Sequence, residues 1–161
     1  NDTLESIFDE NEVQKISVVL GWNGELWYTP LATDEVNPLD AYYVKVIDNQ
    51  IARAIIVPSD QITPPPSRPV SIGVNLIGPA PAYDSGLANF PAMPLNEALI
   101  SIENVGSLPG YTIVVSPGLN QPDWAYARGG GIKELLPFRG YWIVMENGPD
   151  NLFGFSTTPI H

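Results

Sequence analysis

Apolar residues fall along this chain mostly in short runs, rich in β-branched and aromatic side chains and bounded by Gly, Pro, Asn or Asp. The runs are Ile16–Leu20, Tyr42–Val46, Ala54–Val57, Ile72–Ile77, Tyr111–Val115 and Tyr141–Met145. Such segments suit a pleated, half-buried surface, so the pattern predicts a mostly β fold. Helical spacing appears in two places, Leu4–Phe8 and Leu95–Ile102, the second with Pro94 just ahead of it. Asn23-Gly24, between apolar runs, predicts a hairpin turn. Ser116–Asp123 predicts a longer loop at the corresponding point further on. Insertion at a hairpin tip costs little.

The chain also repeats itself. Asn37-Pro38-Leu39-Asp40-Ala41-Tyr42-Tyr43-Val44-Lys45-Val46 returns in outline as Leu136-Pro137-Phe138-Arg139-Gly140-Tyr141-Trp142-Ile143-Val144-Met145. An apolar residue, Val36 or Leu135, precedes each copy. An aromatic patch, Trp27-Tyr28 or Trp124 with Tyr126, lies upstream of each, and the two helical stretches hold equivalent places. Self-similarity of this kind predicts duplication. The expected architecture is two related small β modules, sandwich- or barrel-like, each with one short helix. They are placed at residues 1–57 and 70–161, with a Pro-rich linker at 58–69. Five prolines in that linker exclude a regular helix and favour an extended, semi-rigid path.

The order of motifs in the second copy is distinctive. It has a strand Gly73-Val74-Asn75-Leu76-Ile77-Gly78, a short helix Pro94–Leu99, a strand ending in a tryptophan-bearing hairpin, and a strand Leu135-Leu136-Pro137-Phe138-Arg139-Gly140-Tyr141-Trp142-Ile143. This resembles the tandem "GWNLI…GYW" β-modules of archaeal and bacterial surface-layer and other large secreted cell-surface proteins. Residues 70–160 carry one whole module, with Val74 where the family usually has tryptophan. Residues 4–57 carry most of another, with Ala41-Tyr42-Tyr43 standing for Gly-Tyr-Trp. The resemblance implies an extracellular or cell-surface location and a structural or adhesive role, with calcium a reasonable companion of such relatives.

The first copy lacks a counterpart of the Gly73–Gly78 strand, since Asn1-Asp2-Thr3 alone precede its helical segment. A sheet short of one strand presents unpaired backbone groups along an edge. Either the chain was cut or processed there, or a neighbouring strand of the same chain closes the gap, or another subunit donates a strand and builds head-to-tail polymers.

Composition narrows the field further. The 161 residues, 44% hydrophobic, suffice for one or two small cores. Seven basic against eighteen acidic side chains give a net charge of −11, which repels nucleic acid and anionic lipid. No apolar run is long enough to span a bilayer, and no secretion signal opens the sequence, which reads as a mature or excised piece. Cysteine is absent, so disulfides and thiolate metal sites are excluded.

Among candidate binding residues, Trp22, Trp27, Trp124 and Tyr126 offer ring faces on which a sugar stacks. Trp22, on the turn, is the most exposed by expectation, whereas Trp142 and Tyr43 belong to the core pattern. Acidic clusters at Asp9-Glu10-Asn11-Glu12 and Thr33-Asp34-Glu35 lack a calcium-loop pattern and read as solvated surface. Arg128-Gly129-Gly130-Gly131 reads as a mobile loop. Histidine occurs once, as His161, which leaves no positioned imidazole for catalysis. Asp84-Ser85-Gly86 matches the core of an aspartic protease in a single copy and reads as a turn. The expectation is therefore a non-enzymatic structural or adhesive module without catalytic or metal-binding residues and without a cofactor. Its expected partners are copies of itself, other surface proteins or polysaccharide. A carbohydrate-binding module is the alternative and an aspartic hydrolase a distant third.

Overall fold

The computed structural model describes residues 3–54, 66–79, 91–118 and 121–153. Two short helices open the chain, α1 (Leu4–Ile7) and α2 (Glu10–Val13), followed by β1 (Ile16–Trp22), β2 (Trp27–Tyr28) and β3 (Tyr43–Val46). Then come β4 (Ser67–Val70), β5 (Gly73–Ile77), β6 (Met93–Pro94), α3 (Leu95–Ala98) and a 3-10 turn at Ile100–Ile102. The remaining strands are β7 (Asn104–Val105), β8 (Leu108–Pro109), β9 (Tyr111–Ser116), β10 (Trp124–Ala127), β11 (Glu134–Leu135), β12 (Tyr141–Met145) and β13 (Asp150–Phe153). The fold is mostly β, as the apolar runs predict.

Most helix starts are written in the sequence. Thr3 and Ser6 exchange side-chain and backbone hydrogen bonds in a capping box over α1, and Asp9 caps α2 through Asn11 and Glu12. Pro94 stands at the N-cap of α3 without a side-chain bond. The expected helix Leu95–Ile102 is tighter than foreseen in its second half, where it becomes the 3-10 turn. The predicted strand Ala54–Val57 lies outside the described residues from residue 55 on. Ser67–Pro69, read as the end of the connector, instead forms β4 and pairs antiparallel with β13, Arg68 facing Leu152.

Two larger sheets organise the molecule, a four-stranded one in the order β10-β9-β12-β5 and a three-stranded one in the order β2-β1-β3. Their registers coincide. Val19 faces Val44 and Leu20 faces Tyr43 in the small sheet, while Val114 faces Ile143 and Val115 faces Trp142 in the large one. Each pairing then slips by one residue at the same place, with Ser17 the extra residue between Ile16 and Val18, and Thr112 between Tyr111 and Ile113. Both bulged hydroxyls turn toward a partner-strand carbonyl, Ser17 Oγ to Lys45 O at 3.2 Å and, weakly, Thr112 Oγ1 to Val144 O at 3.5 Å. Just beyond, Ile47 N–H donates to Lys15 O, and Glu146 N–H donates to Gly110 O, both at 2.8 Å. The bridge between Thr3 and Glu35, ahead of α1, matches the pairing of Pro94 with Glu134 ahead of α3.

The core is less evenly shared. Tyr141, Ile143 and Met145 point from one face of β12 into a cluster with Ile77 and Val114. Leu95, Leu99, Ile102, Val70 and Leu152 close over them. Each such buried side chain is worth about 1.5–3 kcal/mol. Of the described members of this cluster, Leu39 alone comes from the segment 3–54, and it is 2% exposed. The small sheet has little interior of its own: Val18, Tyr43 and Val44 remain exposed.

The two sheets meet face to face. Ala41 lies against Gly140, where an added Cβ would stand 3.0 Å from that of Ala41. Tyr43 Oη accepts a hydrogen bond from Trp142 Nε1 at 3.1 Å. At the junction Gly78 N–H donates to Leu39 O at 3.0 Å, and the Arg68 guanidinium donates to Leu39 O at 3.2 Å and to Leu76 O at 2.5 Å, with Asp40 at 3.6 Å.

Candidate functional site

Side-chain alternation decides which aromatics gather. Leu20 and Trp22 share one face of β1, Tyr43 lies opposite Leu20, and Trp27 lies opposite Trp22 across the hairpin. Gly24, with φ of +107°, supplies the backbone geometry at the tip, and Asn23 Oδ1 accepts from Glu25 and Leu26 N–H. Trp142 faces this group from β12 because it points away from Tyr141 and Ile143.

The result is a cluster of edge-to-face rings. Trp22 to Trp27 is 5.4 Å at 68°, Trp22 to Trp142 is 5.8 Å at 79°, and Trp27 to Trp142 is 5.5 Å at 89°. Trp27 to Tyr43 is 5.4 Å at 76°, and Tyr43 to Trp142 is 6.3 Å. Pairs of this geometry add about 0.5–1.5 kcal/mol each beyond the area they bury. The indole Nε1 of Trp22 donates to Val74 O at 2.9 Å, tying β1 to β5.

These positions differ from expectation in two ways. Trp22 is half-buried with its donor engaged, and Trp27 is the exposed ring, at 46%. Conversely, Tyr43 and Trp142 leave the main core and join the cluster, because the strand period of two sets Trp142 on the opposite face from its buried neighbours. The alternation within Tyr141–Met145 carries that signal.

Trp124 and Tyr126 lie elsewhere. Both pack half-buried against the main core, and Trp124 stacks on Tyr141 at 5.7 Å with Lys133 Nζ 6.0 Å from its ring. The four candidate sugar contacts thus divide between opposite faces of the large sheet. The rings that do converge are mutually steep, so they make a packed cluster and not one flat platform.

The titratable groups serve the structure locally. Burial raises the phenol of Tyr42, helped by the Asp40 carboxylate and Tyr28. Burial, with Tyr126 and Glu103 beside it, pushes Tyr111 up to about 12. Burial also raises Tyr141, opposed by the Leu136 N–H that its oxygen accepts at 2.6 Å. Glu12 departs from the solvated reading of its cluster: it is largely buried, and its carboxylate accepts from Lys15 Nζ and Arg53 N–H, both at 2.6 Å. Those two partners hold its carboxyl below the usual range. Asp34 accepts from Leu31 N–H.

Among the described residues no three His, Asp or Glu side chains converge as metal ligands. Asp84 lies outside the described residues. Arg128, opening the glycine run, is anchored through its N–H to Thr112 O and through Nη2 to Asn104 Oδ1. Arg139 pairs with Asp123 across the longer hairpin. A small apolar cavity beside Leu39 is lined by Ile77, Met93, Leu99, Leu135 and Leu152. No described helix is long and apolar enough to cross a membrane.

Comparison of the chain with protein-family models, with curated proteins and with solved structures gives no match.

Proposed function

We propose that this chain is a non-enzymatic structural or adhesive element of a microbial cell surface, built from two tandem β-units of the "GWNLI…GYW" kind that it resembles. The observation that carries this reading is the shared register, with Ser17 and Thr112 as the extra residue of equivalent bulges. Coincidence in one motif is cheap, but coincidence in pairing, bulge and the following backbone bond points to a common ancestor for the two halves. Tandem copies of a small β-unit suit a scaffold whose task is spacing and contact. The acidic charge fits the same role.

The test is location. Antibodies raised against the purified chain should label intact, unpermeabilised cells of the source organism. Labelling that appears after lysis alone would overturn the surface assignment.

A second reading, polysaccharide binding, is favoured by the exposed ring of Trp27 beside Tyr43. Tryptophan fluorescence quenched by a soluble polysaccharide, and unchanged by it in Trp27→Ala, would move the assignment to a carbohydrate-binding module.

A further inference from the structure

The two sheets share their register but not their width. In the large sheet β12 is flanked on both sides, by β9 and by β5. In the small sheet β3 has β1 on one side, and no described strand lies on the other. The consequence is visible residue by residue. Ile143 is 0% exposed while Val44, in the same register position, is 40% exposed. Tyr141 and Met145 are buried, whereas Tyr42 and Val46 are half-buried.

An edge of this kind offers a row of backbone donors and acceptors for an added strand. The molecule itself displays what such an edge accepts, since β5 lies antiparallel to β12 with Tyr141 facing Ile77, Trp142 facing Leu76, Ile143 facing Asn75, Val144 facing Val74 and Met145 facing Gly73. Asn75 keeps the start of that strand in shape. Its side chain accepts from Ser71 N–H at 3.1 Å and donates to Ser71 O at 2.8 Å and to Gly73 O at 3.2 Å.

We infer that the edge of β3 that no described strand covers is a strand-acceptor site, and that its occupant is an extended segment of the Gly-x-Asn-Leu-Ile type from another polypeptide, laid antiparallel. This deepens the two-unit reading above and rests on it. By the β12 to β5 register, the isoleucine of the incoming strand faces Tyr42, the leucine faces Tyr43, the asparagine faces Val44, and the glycine faces Val46. The leucine then settles beside the aromatic cluster, as Leu76 does beside Trp142. One position distinguishes this edge from its template. Lys45, exposed, stands where Val144 stands in β12, so the variable residue of the incoming strand faces an ammonium group. Opposite charges at a directly facing pair contribute modestly. The site therefore prefers Gly-Glu-Asn-Leu-Ile over Gly-Val-Asn-Leu-Ile by about two- to fivefold.

The test uses the whole chain and a synthetic peptide spanning residues 67–79 of this sequence, with a scrambled peptide as control. Hydrogen exchange at those amides of Tyr43–Val46 that point away from β1, every second one, should slow by about a hundredfold when peptide stands at about a hundred times its Kd, with Tyr141–Met145 unaffected. Two further peptides, N-methylated on alternate amides, should separate, one losing binding and the other keeping it, because every second N–H of an added strand faces its neighbour. Val74→Glu in the peptide should tighten binding two- to fivefold, and Lys45→Glu in the protein should reverse that preference.

Equal binding of the scrambled peptide, or of both methylated peptides, would overturn strand addition. So would amides of Tyr43–Val46 that point away from β1 yet exchange as slowly as those of β12 before any peptide is added, since the edge would then be occupied already. Protection that grows with protein concentration alone would put a second copy on the edge and overturn the occupant named here. None of these results disturbs the common register of the two sheets. The two-unit reading fails by a separate observation, a solution structure in which Ser17 and Thr112 do not share a bulge.

Discussion

Ala41 touches Gly140, and the two residues hold the same place in the two sequence repeats. Two positions further on, Tyr43 touches Trp142, again like meeting like. A second methyl group at the contact of Ala41 with Gly140 fits only if Ala41 gives way by a few tenths of an ångström. Gly140→Ala brings its Cβ to 3.0 Å from Ala41, with Leu76 Cδ1 at 3.5 Å on the other side. We expect it to lower stability by about 1–2 kcal/mol in urea unfolding. Adding Ala41→Gly should recover most of the loss, and a double mutant no better than the sum of the singles would show that the two sheets do not meet there.

Leu39 tests whether the halves stabilise each other. It comes from the loop ahead of β3 and is buried among Ile77, Met93, Leu99 and Leu135. Leu39→Ala should cost about 2–5 kcal/mol, and Leu39→Met less than about 1.5 kcal/mol because volume is kept. Tryptophan fluorescence, which reads Trp22, Trp27 and Trp142 as well as Trp124, should separate from the far-ultraviolet signal in the alanine variant and coincide with it in the parent protein.

Asn75 is buried with three hydrogen bonds to Ser71 and Gly73. Removing the amide leaves a backbone N–H and two carbonyls without that partner. Asn75→Ala should therefore lower stability by about 2–3 kcal/mol. Chemical denaturation with an unchanged m-value is the expected record. A loss below about 0.5 kcal/mol would mean that water replaces the side chain without cost.

Alkaline pH should weaken the fold through its tyrosines. Tyr111 is buried and its phenol is pushed up to about 12, so the unfolded chain ionises first, near pH 10, while the folded chain keeps its proton. The stabilisation is complete below about pH 10 and falls as pH rises toward about 12, by an amount on the order of 2 kcal/mol. Tyr111→Phe should flatten that decline. Thermal midpoints measured from pH 8 to pH 12 supply the check. At the acid end Glu12 acts with the opposite sign: its depressed carboxyl stabilises above its unfolded pKa, and that contribution disappears as pH falls through the folded value.

Much of the strand content could be read from the amino acids, because Ile16–Leu20, Tyr111–Val115 and Tyr141–Met145 combine β-branched residues with clear boundaries. Other features depend on distant partners. β4 contains Pro69, which argues against a strand on local grounds, and it forms as a two-stranded pair with β13, where one absent N–H is tolerated. The helix at Glu10–Val13 was signalled by Asp9 but hidden by a single turn of periodicity. The aromatic cluster was the hardest to foresee. Its rings come from four separate chain positions, and nothing within Tyr43 or Trp142 alone announces that their faces are turned toward each other and not inward. Burial of Leu39 was hidden for the same reason, since its sequence equivalent Phe138 is 65% exposed.

Leu39 belongs to the segment 3–54 by sequence and to the core formed by residues 70–152 by packing. A ribosome delivers residues 3–54 first, with Val18 and Val44 facing water and with no interior yet made to receive that leucine. The nascent polypeptide must wait until β13 has emerged before the seat of its anchor is complete. A message truncated ahead of residue 152 leaves that seat incomplete, with the leucine facing whatever chaperone or neighbouring chain arrives first.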